Sequence, residues 1–332
     1  MKFMVVGCGS MGKRRIRCLK ANREKDIIAF DTREDRRKEV KDLHGVMAYS
    51  RLEEALDQQP DVLVISVPPA VHMDYCLEAS RRGLHWFCEV PLTISLDRVD
   101  ELTRQVQQKG IVGAVGNQML FDAYPQQLRQ LVQGGRLGPV LTVAYEFGCW
   151  LPDWHPYEDY RSFYAAQKEL GGGGLDLIVQ EVGWIRWIVA SPAKSVMAIS
   201  ARRSSLEMDV PDVREIILEF EDGTTGSFHF DLVQRPGGRT LKFIAEAGTA
   251  VWDSKNARVY LAETGQWEDL APPTYKQFEE VYYAEIGQFL KCVKGEATWE
   301  NDLNTAVEMT RLLSAVERSE AEQRRVNLEE IA

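Results

Sequence analysis

Paired cysteines, long apolar runs and surplus positive charge are all missing from this 332-residue chain. Each absence removes a class of function. The cysteines at 8, 18, 76, 88, 149 and 292 never fall into CxxC spacing, so neither a zinc site nor a disulfide framework is expected, and no metal. A formal net charge of −10 disfavours nucleic acid and anionic membrane surfaces as partners. No apolar run approaches the length that spans a bilayer, and Gly7 interrupts the only N-terminal apolar segment, so no signal peptide is expected. Reduced thiols and no export signal give a cytoplasmic protein as the expectation. The 45% apolar and 27% charged residues describe a globular chain, and its length suggests two domains.

What is present begins at once. Lys2 to Val6 reads as a buried strand, and it opens into Gly7-Cys8-Gly9-Ser10-Met11-Gly12 with a helix over Met11 to Leu19. Strand, Gly-x-Gly-x-x-Gly turn and helix together form a dinucleotide-binding signature. Gly7 makes the tight turn, Gly9 lets the backbone approach a pyrophosphate, and Gly12 allows close helix packing. The backbone N–H groups at Ser10 and Met11 lie at the helix start, where free N–H groups attract phosphate. A second strand-like run, Asp26 to Asp31, ends about 20 residues further on in an acid that suits ribose hydroxyls. Asp31 favours NAD over NADP, while Thr32 and the cationic Arg33 lie beside it. The competing reading is a glycine turn joining strand to helix, with Asp31 at a solvated strand end.

Alternation continues to about residue 118. Helical stretches are expected over 36–43, 52–56, 71–82 and 96–108, and strands over 62–66, 85–89 and 111–115. Such alternation yields a parallel sheet covered by helices on both faces. From Val140 the pattern changes to hairpins. Val213 to Phe220 and Thr225 to Leu232 flank Asp222-Gly223, and Thr240 to Glu246 and Thr249 to Asp253 flank Ala247-Gly248. Phe228, Phe230 and Leu232 alternate with Ser227, His229 and Asp231, giving one buried and one wet face. Leu303, Val307, Thr310 and Leu313 mark a helical stripe near the end. An open sheet of this kind is expected to pair with another subunit, as a homodimer or homotetramer.

These residues resemble the Gfo/Idh/MocA family of NAD(P)-dependent oxidoreductases. The resemblance rests on the glycine fingerprint, Val67-Pro68-Pro69 with His72, Cys88-Glu89-Val90-Pro91, Val115-Gly116-Asn117-Gln118, the Gly171 to Gly174 run, and Gly248-Thr249 before Trp252-Asp253. It implies an α/β chain: an N-terminal Rossmann domain with a doubly wound parallel sheet (1–118), and a C-terminal α+β domain (119–332) with a large, mostly antiparallel open sheet. It implies a hydride passed between nicotinamide and a sugar or polyol carbon. Glu89 would then meet the nicotinamide ribose, Pro91 would shape the loop under the ring, and Pro68, Pro69 and His72 would line the adenosine or ribose side, with Val67, Val90, Asn117 and Gln118 as further cofactor-binding residues. For His72 a helix-capping role stands equally. The run 150–161, with 168–174, is similar to a branch associated with nonulosonic-acid and surface-sugar pathways.

The chain departs from the family where protons are handled. Val90 stands where the family's Glu-Lys-Pro motif has lysine. Gln180 and Gly183 stand at the histidine and aspartate positions of its second signature, and Leu120 at an arginine. Valine cannot titrate, glutamine only hydrogen-bonds, and losing one general acid–base group costs about 10²–10⁴ in rate. Replacement candidates are His155, Tyr157, Asp159, Tyr160, Lys168, Asp176 and Glu181, with Gln180 itself as a hydrogen-bonding group. His155 and Tyr160 lie in an aromatic loop, as substrate contacts or loop structure. Asp159 and Arg161 suit a salt bridge, and Asp176 is either a pocket acid or a helix start. Three functions remain open: an oxidoreductase of a sugar-like or nucleotide-sugar-derived CH–OH group with a remodelled pocket; a reductase of an imine or conjugated electrophile needing no protein acid; or an NAD-binding pseudoenzyme that regulates or scaffolds a partner.

Overall fold

The computed structural model describes residues 1–331. Its chain divides into two units, one of residues 1–118 with 275–307, the other of 119–274 with 308–332.

In the first unit, six short strands form one parallel sheet: β1 (Phe3–Val6), β2 (Ile27–Phe30), β3 (Met47–Tyr49), β4 (Val62–Ile65), β5 (His85–Cys88) and β6 (Gly113–Val115). Their order is β3-β2-β1-β4-β5-β6, the doubly wound arrangement whose direction reverses between β1 and β4. β1, β2 and β4 are buried along their whole length, which is why they read as unbroken apolar runs. Helices α1 (Ser10–Ala21), α2 (Glu34–His44), α3 (Leu52–Leu56), α4 (His72–Arg82) and α5 (Val99–Lys109) connect them. One apolar cluster lies around Met4, Leu63 and Trp86, and a second around Phe3, Val64 and Phe87. The short strand β3 carries no apolar run and was not legible in the sequence.

The second unit holds α6 (Ala123–Gln133), β7 (Val140–Trp150), α7 (Leu151–Trp154), α8 (Leu175–Val189), β8 (Ala193–Ala201), β9 (Val213–Phe220), β10 (Thr225–Asp231), β11 (Val233–Ala245), β12 (Gly248–Trp252), β13 (Ala257–Leu261), β14 (Gln266–Asp269) and β15 (Val326–Asn327). The strands make one nine-stranded sheet in the order β14-β13-β12-β11-β7-β10-β9-β8-β15. Every pairing is antiparallel except β7 with β10. Ile216, Leu218, Phe228 and Phe230 point to the covered face, while Ile217, Ser227 and Glu215 point outward. Asp231 departs from the expected alternation and is buried: its Oδ1 accepts the N–H groups of Val233 and Gln234 at 2.7 and 2.6 Å, turning the chain into β11.

The remaining helices are α9 (Glu279–Val293) and α10 (Leu303–Glu322). α9 corrects the expectation that 119–332 is one continuous domain. Its Ile286, Phe289 and Leu290 join the cluster around Phe3 and Phe87, so residues 275–307 belong with the nucleotide-type sheet. Phe87 meets Phe289 edge-on at 5.5 Å and Trp299 at 6.0 Å. Later turns of α10 pack on the large sheet, where the Ser319 hydroxyl accepts the Ala198 N–H at 2.9 Å.

Candidate active site

The glycine turn follows β1 at the point of strand reversal. Gly7 has φ +90°, and a Cβ there would lie 2.4 Å from the Ser66 carbonyl oxygen. At Gly12 a Cβ would fall 1.8 Å from the Gly7 oxygen. Both glycines are therefore required by the protein's own packing. Gly9 is different. Its nearest neighbour would be an Arg36 guanidinium nitrogen at 3.5 Å, so the fold itself leaves that position open. A residue without a side chain, whose Cβ would meet only the end of the flexible Arg36 side chain, at the start of α1 and with no side-chain cap, fits a pyrophosphate cradle. The Cys8 thiol below is pushed up to about 12, chiefly by burial and then by Asp31, and stays protonated.

Asp31 is buried under this turn. Its Oδ2 accepts the Cys8 N–H at 2.7 Å and its Oδ1 the Arg33 N–H at 2.8 Å. Both oxygens retain a further lone pair for ribose hydroxyls. Thr32 and Arg33 are exposed, and the Arg33 guanidinium forms a two-point pair with Asp35 at 3.1 and 2.5 Å. Ser10 and Met11 open α1, half-buried.

The loops after β4 and β5 are pinned together by His72. Its Nδ1 lies 2.6 Å from the Pro91 oxygen and its Nε2 2.8 Å from the Val67 oxygen. The ring is buried, and burial pushes its pKa down. Pro68 caps the short turn leading to it, Val90 packs on the Met4 cluster, and Asn117 and Gln118 are buried beyond β6.

Glu89 has a partner that no motif announced. Both its oxygens bind Arg15, at 2.5 Å to Nε and 2.9 Å to Nη2, while Nη1 of Arg15 reaches Glu285 at 2.6 Å. Arg15 and Glu285 are fully buried, and the Arg15 guanidinium lies 4.5 Å over the Phe87 ring. One cation thus serves two acids, and burial pushes Glu285 up despite Arg15.

In the second unit, the chemistry gathers on α8. From Leu175 to Ile185 every residue is buried except Asp176 and Gln180, which share one face one turn apart. Glu181 is buried and saturated: Tyr145 donates at 2.5 Å, Trp184 Nε1 at 2.7 Å, Gln180 at 3.0 Å, and Arg239 Nε at 3.1 Å. Burial and the Glu181 charge together push Tyr145 well above its ordinary value. Glu181, one of the expected catalytic candidates, thus has two donors on each carboxylate oxygen. Asp176 receives the Tyr164 hydroxyl at 2.5 Å on Oδ2, while its Oδ1 is buried with no hydrogen-bond partner among the described residues. Burial pushes the Asp176 carboxyl up, and Tyr164 offsets only part of that.

The aromatic loop lies close by in the same unit. His155 Nδ1 is 2.9 Å from the Tyr157 hydroxyl, and its ring meets Phe163 at 4.7 Å; Trp154 meets Phe163 at 5.9 Å. The Tyr160 hydroxyl accepts the Glu207 N–H at 3.0 Å and so tethers the loop. Asp159 and Arg161 pair at 3.2 Å, and Arg161 extends to Glu207. Lys168 is exposed at the loop's end. Tyr164 escaped the sequence reading because it belongs to no motif. Among the described residues no cluster of His, Cys, Asp or Glu is arranged to hold a metal, and no helix is long and apolar enough to cross a membrane.

Residues 1–117 match the model of an oxidoreductase family with an NAD-binding Rossmann fold, and residues 126–251 match the GFO/IDH/MocA C-terminal domain. An uncharacterized oxidoreductase, YrbE, from Bacillus subtilis is 23% identical over 95% of this chain and 93% of its own. The myo-inositol 2-dehydrogenase of Thermotoga maritima is 25% identical over 68% of this chain and 67% of its own. The crystal structure of the WlbA dehydrogenase from Bordetella pertussis, in complex with NADH and UDP-GlcNAcA, superposes with a TM-score of 0.82 over 98% of both chains at 19% identity.

Proposed function

Since the chain belongs to the Gfo/Idh/MocA family of oxidoreductases, we propose that it transfers a hydride between NAD and a sugar-like or nucleotide-sugar-derived substrate, without the usual lysine–histidine pair. The observation that carries the cofactor half is Gly9, the fingerprint glycine that the fold's own packing does not require. Gly7, Gly9, Gly12 and the N–H groups of Ser10 and Met11 would hold the pyrophosphate, and Asp31 the adenosine ribose. Arg33 is already neutralised by Asp35, which favours NAD over a 2′-phosphate. NAD, when bound, supplies the hydride acceptor. Glu89, held by Arg15, positions the loop that ends in Val90 and Pro91.

The substrate half rests on α8 and the aromatic loop. Asp176 and Gln180 offer one acceptor-rich face, and Trp154, His155 and Phe163 supply ring surfaces on which a sugar's apolar face can stack. The inositol dehydrogenase and the WlbA complex support a polyol or sugar as the substrate class.

Fluorescence titration with NADH and NADPH is the first test, followed by a screen of inositols, hexoses and UDP-hexuronates for NAD⁺ reduction. NADH is expected to bind about tenfold more tightly than NADPH, a difference of about 1.4 kcal/mol. Absence of NADH binding would sink the proposal. Tight binding without turnover on any sugar, with Val90→Lys/Gln180→His restoring it, would favour the regulatory reading.

The outward face of the large sheet carries Met197, Ile199, Ile217, Ile244 and Trp267, each at least 37% exposed. A second copy of the chain is the proposed cover. Light scattering should give a multiple of 37.7 kDa, and Ile217→Lys should shift it toward the monomer. A monomeric wild type would refute that arrangement.

A further inference from the structure

We propose that Glu285, on α9, is a positioning residue of the cofactor site: through Arg15 it sets the Glu89 carboxylate toward the second ribose of the cofactor. This rests on the oxidoreductase reading above and adds to its nucleotide half a residue that no sequence motif carries.

Three observations carry it, all within the first unit. First, three side chains form one chain of contacts with a single wet end. Arg15 Nε and Nη2 hold the two Glu89 oxygens at 2.5 and 2.9 Å, and Nη1 holds Glu285 Oε2 at 2.6 Å. The Arg15 and Glu285 side chains are 1% and 0% exposed, and that of Glu89 is 14% exposed. Glu89 directly follows β5, and ligands of a doubly wound sheet bind outside the C-terminal ends of its strands. Its Oε2 accepts from Arg15 and keeps a lone pair for a ribose hydroxyl.

Second, a guanidinium is a rigid planar fork, so fixing one prong directs the others. Glu285 holds the prong that points away from Glu89. The Arg15 guanidinium carbon lies 4.5 Å from the Phe87 ring centre and 5.3 Å from that of Tyr282, which is also on α9. Glu285 and the two rings anchor the fork, and the fork in turn orients Glu89.

Third, glycines make room for this arrangement. At Gly116, just past β6, a Cβ would lie 2.7 Å from the Phe87 ring and 3.2 Å from Glu285 Oε1. At Gly287, on α9, a Cβ would fall 2.8 Å from Asn22 Oδ1. Asn22 ends α1 and donates to the Tyr283 oxygen at 2.9 Å, so α9 is seated on the helix that carries Arg15.

Calorimetric titration with NADH and with ADP tests this. ADP carries the adenosine half and lacks the second ribose, so it reports losses that come from the fold alone. Glu285→Met removes the anchor at similar volume, and Arg15→Lys keeps the cation but loses the fork. Each should bind NADH about tenfold more weakly, with ADP affinity within about threefold of wild type. Glu285→Gln, which keeps an oxygen for Nη1, should restore NADH affinity to within about threefold of wild type. In a Glu89→Gln background, adding Glu285→Met should change NADH affinity by less than about threefold, because Glu285 acts through Glu89. Equal losses for NADH and ADP would assign Glu285 to the fold alone and overturn the proposal. So would a Glu285→Met protein that binds NADH as the wild type does; if that variant does not fold, Arg15→Lys carries the same comparison. A wild type that does not bind NADH removes the oxidoreductase reading, whereas a wild type that binds it, matched by its variants, removes this proposal alone.

Discussion

Each unit buries a cluster of acids, and the two clusters are built on different terms. In the nucleotide-type unit, Arg15 binds Glu89 with two bonds and Glu285 with a third, deep beneath α9. In the sheet unit, Glu181 gathers side-chain donors from Tyr145, Trp184, Gln180 and Arg239, while Asp176, five residues earlier, receives one side-chain donor, Tyr164. Saturated acids fix geometry, because every bond must break before the group can move. A buried acid with fewer donors holds its proton more strongly, and burial raises both Asp176 and Glu285. Glu285 and Asp176 each keep one buried oxygen without a side-chain partner, while the Glu181 carboxylate has donors on both oxygens.

The contrast can be broken at Arg15 first. Arg15→Met leaves Glu285 and most of Glu89 buried without their cation and should cost about 3–5 kcal/mol. A lowered urea midpoint reports it, and adding Glu285→Met should recover part of the loss. A single variant within about 1 kcal/mol of wild type would show that the triad does not brace the unit. Glu181→Gln comes next, at about 2 kcal/mol, since the amide presents N–H groups toward the Tyr145 and Trp184 donors. The partly exposed Arg239 loses less than a buried cation would.

Tyr164→Phe, which removes the bond to Asp176, should cost about 1 kcal/mol, read as a lowered urea midpoint. The smallest effect is in the pH dependence of stability. Because burial raises the Asp176 pKa in the folded state, this group stabilises fully below its unfolded pKa and loses that contribution as pH rises through the folded one. Asp176→Asn should remove this slope, gaining on wild type at pH 8 relative to pH 4 in paired urea melts. An unchanged slope would place Asp176 with the saturated acids.

Much of the nucleotide-type sheet was legible because its signals are local. Gly7 and Gly12 are demanded by atoms close at hand, and fully buried strands must be apolar throughout. β3, with no apolar run, and the segment 275–307 were not legible. α9 joins the first unit through contacts such as Arg15–Glu285, 270 residues apart, and no short pattern encodes that pairing. On the sheet side, the Gln180 substitution was readable at its position. Which nearby acid was saturated and which was not depended on Tyr145, Arg239 and Tyr164, all distant from α8 in sequence or outside any motif. Burial likewise separated Glu181 from Asp176, and burial follows from packing rather than from residue type.

The return of α9 to the first unit also sets an order of events at the ribosome. Arg15 is made early, and Glu285 follows 270 residues later. At roughly 5–20 residues per second the gap is roughly 15–50 s. Throughout that interval Phe87 lacks Phe289, and Arg15 lacks its second acid. The unit translated first is thus among the last completed, and the nascent chain carries an open apolar surface for nearly its whole synthesis.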